Sequence, residues 1–229
     1  SAVGGCVGGG VVGWPGGLVL AGRGIPVVGL EKGRLAGEQS SRNRGWIRKM
    51  GRSVADVPLA CAADRLWAGL AARVSEDVGY RQAGIMYLAR TQAEMDMHRG
   101  WLDSVRDLSL DSRLLTAPQI DMLVPHGQGI WAGGIYTPSD GRAEPTRAAS
   151  AIARAATRHG AIIVEQCAVR TLSMEGGQVK GLVTGRGEMR CEQVLLAGGL
   201  WSRRFLGNLG IGLPTLPLVC SALRTSPLD

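Results

Sequence analysis

Three glycines near the start of the chain have the spacing of a loop that binds a dinucleotide. Gly8, Gly10 and Gly13 form the pattern G-x-G-x-x-G within the run VGGGVVG. In such a loop the first glycine makes a tight turn, the second lets a pyrophosphate approach the backbone, and the third lets a helix pack closely on a strand. Glu31 follows at a distance where a carboxylate accepts hydrogen bonds from both hydroxyls of an adenosine ribose and repels a 2′-phosphate. These four residues predict a dinucleotide site that disfavours NADP.

The elements that must position this loop are predicted on either side of it. Ala2–Val7 is apolar and predicts a short strand, Val11–Arg23 predicts a helix, and Ile25–Leu30 predicts a second strand that ends directly before Glu31. Together they have the size of a β-α-β unit. Because the helix contains the segment Trp14–Gly17, with a proline and two glycines, we expect it to be less stable than such helices usually are.

The rest of the chain mixes helix and strand signals and predicts an α/β protein. Apolar residues at helical spacing, or capping residues, predict helices over Val57–Val74, Thr91 to about Leu108, Thr116–Leu123, Pro145 to about His159 and Trp201–Leu209. Apolar runs between turn residues predict strands over Gly84–Ala89, Ala161–Glu165, Ala168–Glu175, Val179–Thr184, Glu188–Arg190 and Gln193–Gly199, and a strand that runs into a loop over Gly133–Pro145. The strand over Gln193–Gly199 is expected to be parallel and buried.

Composition and charge argue against several classes of protein. The net charge of +7 is spread along the chain and aromatic residues make up only 4%, so we expect no nucleic-acid partner. There is no apolar stretch of about 18 residues, so no membrane span is expected. The five cysteines lie far apart without metal-binding spacing, which predicts free thiols, no metal site and a cytoplasmic location. No order of Ser, His and Asp indicates a hydrolase.

Four further segments, taken with the glycine run, resemble one enzyme family. They are Leu30–Arg52, Tyr136–Pro145, Cys167–Leu172 and Val194–Arg203. In this combination the chain is similar, over essentially its whole length, to the FAD-dependent D-amino-acid oxidase/dehydrogenase superfamily, which includes glycine and sarcosine oxidases. The resemblance implies a Rossmann-like FAD-binding domain, with a mostly parallel sheet and helices, plus part of an antiparallel-sheet substrate domain. It implies residues 1–80 and 140–209 for the first domain and 81–139 and 210–229 for the second.

The resemblance also implies which residues contact FAD. The pyrophosphate is expected at the glycine loop and the ribose at Glu31, with Ser40, Ser41 and Arg42 on the phosphates, Gly45 and Trp46 near the flavin ring, and the backbone of Val169 at the adenine. The full set of expected cofactor-binding residues is Gly8, Gly10, Val11, Val12, Gly13, Glu31, Lys32, Ser40, Ser41, Arg42, Gly45, Trp46, Ala168, Val169, Ala197, Gly198 and Trp201.

The activity that the resemblance implies is oxidation of an amino acid or secondary amine by hydride transfer to flavin N5. The sequence identifies neither the amine nor the catalytic residues, although Arg48 and Lys49 are candidates to pair with a substrate carboxylate or with the flavin. Family members are longer, so we expect this chain to be a truncated product, a fragment or one piece of an assembly, which leaves an oligomer or a second chain open. Two alternatives remain: an FAD-binding remnant without activity, and an NAD-dependent dehydrogenase.

Overall fold

The computed structural model describes residues 2–124, 129 and 131–221, and this part of the chain contains strands and helices in mixed order. The strands are Ala2–Val7 (β1), Val27–Leu30 (β2), Trp46–Ile47 (β3), Ile85–Ala89 (β4), Arg113–Leu115 (β5), Gly133–Thr137 (β6), Gly141–Arg142 (β7), Ile162–Val164 (β8), Val169–Glu175 (β9), Gln178–Thr184 (β10) and Gly187–Leu196 (β11). The helices are Gly13–Ala21 (α1), Val57–Ala68 (α2), Leu70–Val74 (α3), Gln92–Ser104 (α4), Ala117–Leu123 (α5), Pro145–Arg158 (α6) and Ser202–Gly207 (α7).

The predicted α/β class is confirmed, with four differences in detail. The helix predicted over Val57–Val74 is divided at Gly69, where α2 ends and α3 follows. The strands predicted over Glu188–Arg190 and Gln193–Gly199 are one continuous strand, β11, because no turn residue separates them. The second of these is also not fully buried, since the side chain of Leu195 is 40% exposed. The short strands β3, β5 and β7 were not predicted.

The chain divides into two compact units. The first unit contains the residues up to Arg44, the segment Val74–Val78 and the chain from Glu144 onward. The second unit contains Gly45–Arg73 and Gly79–Ala143. Both units are therefore discontinuous in sequence. The division differs from the predicted domains in placing Gly45–Arg73 with the second unit and the segment after residue 209 with the first.

The first unit is built on a six-stranded sheet with the order β8-β2-β1-β11-β10-β9. The strands β8, β2, β1 and β11 are parallel, whereas β10 runs antiparallel to both of its neighbours. The long strand β11 belongs to both parts, because Met189 pairs with Leu182 of β10 and Leu195 pairs with Cys6 of β1. This arrangement brings the carboxyl ends of β1, β2 and β11 to one edge, where ligands of parallel sheets bind.

Two glycines of the first unit make room for one large side chain. Trp14 in α1 is 1% exposed. A Cβ atom on Gly29 of β2 would lie 2.4 Å from Cη2 of this tryptophan, and one on Gly17 would lie 3.0 Å from its Cε3. The glycines that weaken α1 and β2 by propensity therefore allow α1 to pack closely on the sheet, next to the alanine-rich helix α6.

The second unit contains a three-stranded antiparallel sheet with the order β4-β6-β5 and a separate pair formed by β3 and β7. Its core includes Met50, Ile85 and Ile135, with Trp101 packed against them. The capping box predicted at Thr91 and Glu94 is present at the start of α4. Among the helices of the described residues, none has both the length and the apolar character needed to cross a lipid bilayer.

Candidate functional site

The glycine loop between β1 and α1 is closed by contacts between backbone atoms. Gly8 has a φ of +112°, and a Cβ atom on it would lie 2.3 Å from the carbonyl oxygen of Ala197. A Cβ atom on Gly13 would lie 2.3 Å from the carbonyl oxygen of Gly8. A side chain on Gly8 would force the loop away from the segment after β11, and one on Gly13 would force the start of α1 away from the carbonyl of Gly8. The structure thus brings the predicted Gly8, Gly13 and Ala197 together, with Gly198 following directly.

The N-terminus of α1 carries no side-chain cap. The N-cap residue is Val12, whose side chain is exposed and makes no capping hydrogen bond, and the first turn has no acidic residue. The first amide groups of a helix have no acceptor within the helix and carry partial positive charge. One amide before the helix is held, because the N–H of Val11 donates to Oγ of Ser40 at 2.9 Å. This end of α1 has the properties of an anion-binding site.

Glu31 points into the glycine loop. Its Oε2 accepts a hydrogen bond from the N–H of Gly9 and its Oε1 accepts one from the N–H of Gly33, both at 2.7 Å. The side chain is buried, and no ion pair joins it to a lysine or arginine within the part of the chain that the structure describes. Each carboxylate oxygen accepts more than one hydrogen bond, so the group retains capacity for the hydroxyls of a ligand.

The segment that leads into β9 lies against the backbone of Glu31. The N–H of Cys167 donates to the carbonyl oxygen of Glu31 at 2.8 Å. Ala168 and Val169, two of the predicted residues, follow this hydrogen bond directly. The strand β9 begins at Val169. The backbone that the resemblance implies for adenine contact is thus anchored next to the residue that it implies for the ribose.

Lys32 turns toward other partners than Glu31. Its Nζ lies 2.6 Å from Oε1 of Glu38 and 3.9 Å from the ring centroid of Trp201. The hydrogen bond from Lys32 lowers the pKa of Glu38. These contacts place Trp201 beside the end of β2. They also mean that Lys32, the neighbour of Glu31 in sequence, does not pair with it.

The serine pair forms part of a short 3₁₀ turn, Gln39–Ser41. A Cβ atom on Gly10 would lie 2.8 Å from Oγ of Ser40, so this serine faces the loop. Ser41 instead donates to the carbonyl oxygen of Glu38 at 3.1 Å, and Arg42 donates to that of Gly37 at 2.9 Å. Of the three residues predicted to contact phosphates, Ser40 is thus the one whose side chain the structure places on the loop.

Gly45 and Trp46 belong to the second unit. The carbonyl oxygen of Gly45 accepts a hydrogen bond from the N–H of Ala143 at 2.8 Å, and Trp46 pairs with Arg142 in the short ladder between β3 and β7. The Trp46 ring lies 5.9 Å from that of Tyr87. Their predicted position near a flavin ring stays a prediction.

A groove of the second unit runs between β3 and α2. Its volume is about 370 Å³, and the lining residues include Trp46, Arg48, Arg52, Leu59 and Trp67. Leu59 is 73% exposed, so the apolar residues that predicted α2 are only partly buried. The groove combines aromatic and aliphatic walls with two guanidinium groups, which suits an organic carboxylate with an apolar part.

Lys49 does not line this groove, and the structure gives it a different environment from that of Arg48. Its Nζ is buried and lies 2.7 Å from Oδ2 of Asp64, and Tyr80 donates to Oδ1 of the same carboxylate at 2.9 Å. Burial acts to lower the pKa of Lys49, but its hydrogen bond with Asp64 and the charge of Asp140 outweigh it, so the pKa is raised. Burial also raises the pKa of Asp140, and the amides of Lys49 and Met50 offset this only in part.

Several residues of these sites were missed from the sequence. Gly9 and Gly33 supply the amides on Glu31, and their sequence signal was available, since one lies inside the glycine run and the other two residues after the carboxylate. Asp64 and Tyr80 carried no signal, because Asp64 contacts Lys49 and Tyr80 across 15 and 16 residues of sequence. No cluster of three or more metal-ligating side chains occurs within residues 2–124, 129 and 131–221.

A parallel sheet with a glycine loop, an uncapped helix N-terminus and an inward carboxylate defines a dinucleotide-binding α/β protein. Comparison with known proteins gives the family. The family model DAO, described as FAD dependent oxidoreductase, matches residues 6–229. The chain therefore belongs to the FAD dependent oxidoreductase family, whose cofactor is FAD. This confirms the resemblance noted in the sequence and decides for FAD between the two dinucleotides that the glycine loop alone left open.

Individual relatives agree with this assignment. The glycine oxidase of Geobacillus kaustophilus is 31% identical over 227 residues, which cover 93% of this chain and 58% of the relative. The crystal structure of that oxidase superposes with a TM-score of 0.87 at 29% identity, covering 93% of this chain and 59% of the other. The L-amino acid deaminase of Proteus myxofaciens, in complex with anthranilate, gives a TM-score of 0.87 at 31% identity, covering 94% and 49%. The chain spans 58% or less of the length of the curated relatives with which it was aligned.

Proposed function

We propose that this chain binds FAD through its glycine loop and belongs to an enzyme that oxidises an amino acid or a secondary amine. The observation that carries the binding proposal is the position of Glu31, whose carboxylate accepts hydrogen bonds from the amide of Gly9 in the loop and from that of Gly33, without a cation. A dinucleotide fits this arrangement, because Gly8 and Gly13 leave room only for backbone and the first turn of α1 is uncapped.

In this proposal each part of the site holds one part of the cofactor. The N-terminus of α1 and Oγ of Ser40 face the pyrophosphate, and Glu31 accepts hydrogen bonds from the ribose hydroxyls. The remaining contacts are proposed as the resemblance implies them: Val11, Val12, Ser41 and Arg42 for the phosphates, Ala168 and Val169 for the adenine, Lys32, Ala197, Gly198 and Trp201 beside the dinucleotide, and Gly45 and Trp46 for the flavin ring.

FAD, when bound, supplies the hydride acceptor at flavin N5, so the chain has only to bind and orient the substrate. Arg48 is the candidate for this role. Its guanidinium lines the groove of the second unit and lies 5.7 Å from the ring centroid of Tyr87. A planar guanidinium suits a carboxylate, and of the two cations predicted for this role Lys49 is instead paired with Asp64 in the interior.

The names of similar proteins support this substrate class. They include glycine oxidase, the beta subunit of sarcosine oxidase and a D-amino acid dehydrogenase. All three act on compounds that carry an amine and a carboxylate on one carbon.

A titration of the purified chain with FAD tests the proposal. We expect quenching of flavin fluorescence with a saturable endpoint, and bleaching of the bound flavin when amino acids and N-methylated amino acids are added without oxygen. Absence of FAD binding by a folded chain would contradict the cofactor site, whereas binding without bleaching would contradict only the oxidation.

A second candidate function is FAD binding without catalysis. The pyruvate dehydrogenase phosphatase regulatory subunit of Mus musculus is 25% identical over 180 residues, which cover 77% of this chain and 20% of that protein. This relative is named as a regulatory subunit. The bleaching experiment distinguishes the two functions, since a chain of this kind binds FAD and leaves it oxidised.

A further inference from the structure

The ammonium group of Lys49 is buried among oxygen atoms from distant parts of the second unit. Its Nζ lies 2.7 Å from Oδ2 of Asp64, 2.9 Å from the carbonyl oxygen of Ser139 and 3.4 Å from Oδ1 of Asp140. Only 6% of the lysine side chain is exposed, and Asp140 is fully buried. A buried lysine is costly unless it is paired in this way. Its three oxygen partners therefore show that Lys49 joins separate segments of the second unit.

Asp140 connects this charge cluster to the backbone of Lys49 and Met50. Its Oδ1 accepts a hydrogen bond from the N–H of Lys49 at 2.8 Å, and its Oδ2 accepts one from the N–H of Met50 at 3.2 Å. The turn that carries Asp140 is itself held, because the N–H of Ser139 donates to Oδ2 of Asp111 at 2.8 Å. The peptide groups after Arg48 are therefore fixed from one carboxylate.

The constraint reaches Arg48 through Met50. The guanidinium of Arg48 donates to the carbonyl oxygen of Met50, the residue whose N–H is held by Asp140. The same guanidinium lies over the ring of Tyr87. Loss of the charge that stabilises the Asp140 carboxylate would loosen the peptide group between Lys49 and Met50. Because the next carbonyl along the chain, that of Met50, is the acceptor for Arg48, the arginine would lose its fixed partner as well.

We infer that Lys49 is a positioning residue for Arg48, acting through Asp140 and the backbone of Met50. It thereby fixes the guanidinium at the groove where an organic carboxylate binds. The part that concerns the carboxylate rests on the proposed function. The part that concerns the position of Arg48 does not, so the two can fail separately.

Nuclear magnetic resonance of the chain tests the positioning directly. The Nε–H signal of Arg48 is assigned by its loss in Arg48→Lys, and we expect the Tyr87 ring current to shift it away from the signals of exposed arginines. In Lys49→Met this signal should move to the position of exposed arginines, while the signals of core methyl groups remain. Lys49→Arg should restore part of the shift, because it returns the positive charge.

Two further variants make the test decisive. Asp64→Asn keeps the shape and one acceptor of the carboxylate, so we expect it to fold even if Lys49→Met does not, and to move the Arg48 signal part of the way. Arg147→Met removes a cation from an exposed pair with Asp77 in the first unit and should leave the signal unchanged. An Arg48 signal that stays in place in folded Lys49→Met or Asp64→Asn would overturn the inference.

Discussion

The two units each contain a buried carboxylate that accepts two backbone amides, and the two differ in their cation. Glu31 in the first unit accepts from Gly9 and Gly33. Asp140 in the second unit accepts from Lys49 and Met50, and the ammonium group of Lys49 lies 3.4 Å from it. Glu31 also has a lysine next to it in sequence, Lys32, but that lysine pairs with Glu38 instead.

The difference indicates what each carboxylate is for. A buried charge that is compensated inside the protein holds the chain together and has little left to offer a ligand. A buried carboxylate that is oriented by amides alone is costly in the free protein, and ligand hydroxyls supply the hydrogen bonds that it lacks. This difference is what the proposed FAD site requires of Glu31, whereas Asp140 holds the backbone of Lys49 and Met50.

Removal of the cation should therefore have its largest effect in the second unit. Lys49→Met leaves Asp140 buried without compensation, and we expect the free energy of unfolding to fall by about 3–5 kcal/mol. Lys32→Met is the matched control, since its partner Glu38 is partly exposed, and it should cost less than about 1 kcal/mol. Urea unfolding of both variants gives the comparison, and equal losses would show that burial of the ion pair is not what matters.

The backbone of the glycine loop provides the second test. Gly8→Ala places a Cβ atom against the carbonyl oxygen of Ala197 at a positive φ, so we expect a loss of about 2 kcal/mol or more in stability together with weaker FAD binding. Gly187→Ala is the matched control, because Gly187 has a φ of +114° and nothing lies within 4 Å of the added atom. If the Gly187 variant loses as much stability as the Gly8 variant, the strain of a positive φ is sufficient and the close approach of Ala197 is not needed.

The third test addresses the ligand capacity of Glu31. In Glu31→Gln only one of the two amides, those of Gly9 and Gly33, keeps an acceptor and the charge is lost, so we expect the dissociation constant for FAD to rise by about 10- to 100-fold, the equivalent of one charged hydrogen bond. Flavin fluorescence titration measures it, with Glu175→Gln, on an exposed strand end, as a control. Unchanged affinity in Glu31→Gln would remove the ribose assignment.

Much of the first unit was predictable from sequence because its signals are local. Gly8, Gly13 and Glu31 report on turns and strand ends within one β-α-β unit, and the predicted bounds of β1 agree with the structure. The continuity of β11 was not predicted, although no turn residue interrupts it. Its two halves pair with different strands, β10 and β1, and that change of partner depends on residues far away in sequence.

The second unit was predicted less completely, because its contacts connect residues far apart along the chain. Lys49 is joined to Asp140 across 91 residues, and a lysine between Arg48 and Met50 carries no sign of burial. Trp14 and Gly29 show the same limit in the first unit, since each is unusual alone and their complementary sizes appear only in three dimensions.

Glu76 is a third carboxylate that can be compared with Glu31 and Asp140. It pairs with two arginines, and its side chain is partly exposed. Hydrogen bonds from Arg154 and then Arg158 lower the pKa of Glu76 to about 2. A carboxyl whose pKa is lower in the folded than in the unfolded chain stabilises the fold above its unfolded pKa of about 4.3 and loses that contribution as the pH falls toward 2. We expect Glu76→Gln to lower the urea midpoint slightly at pH 7 and not at all near pH 2, whereas Glu175→Gln, on an exposed strand end, should match the parent chain throughout. A Glu76 effect that persists at pH 2 would mean that its packing, and not its charge, contributes to stability, and would limit the charge argument to the buried carboxylates.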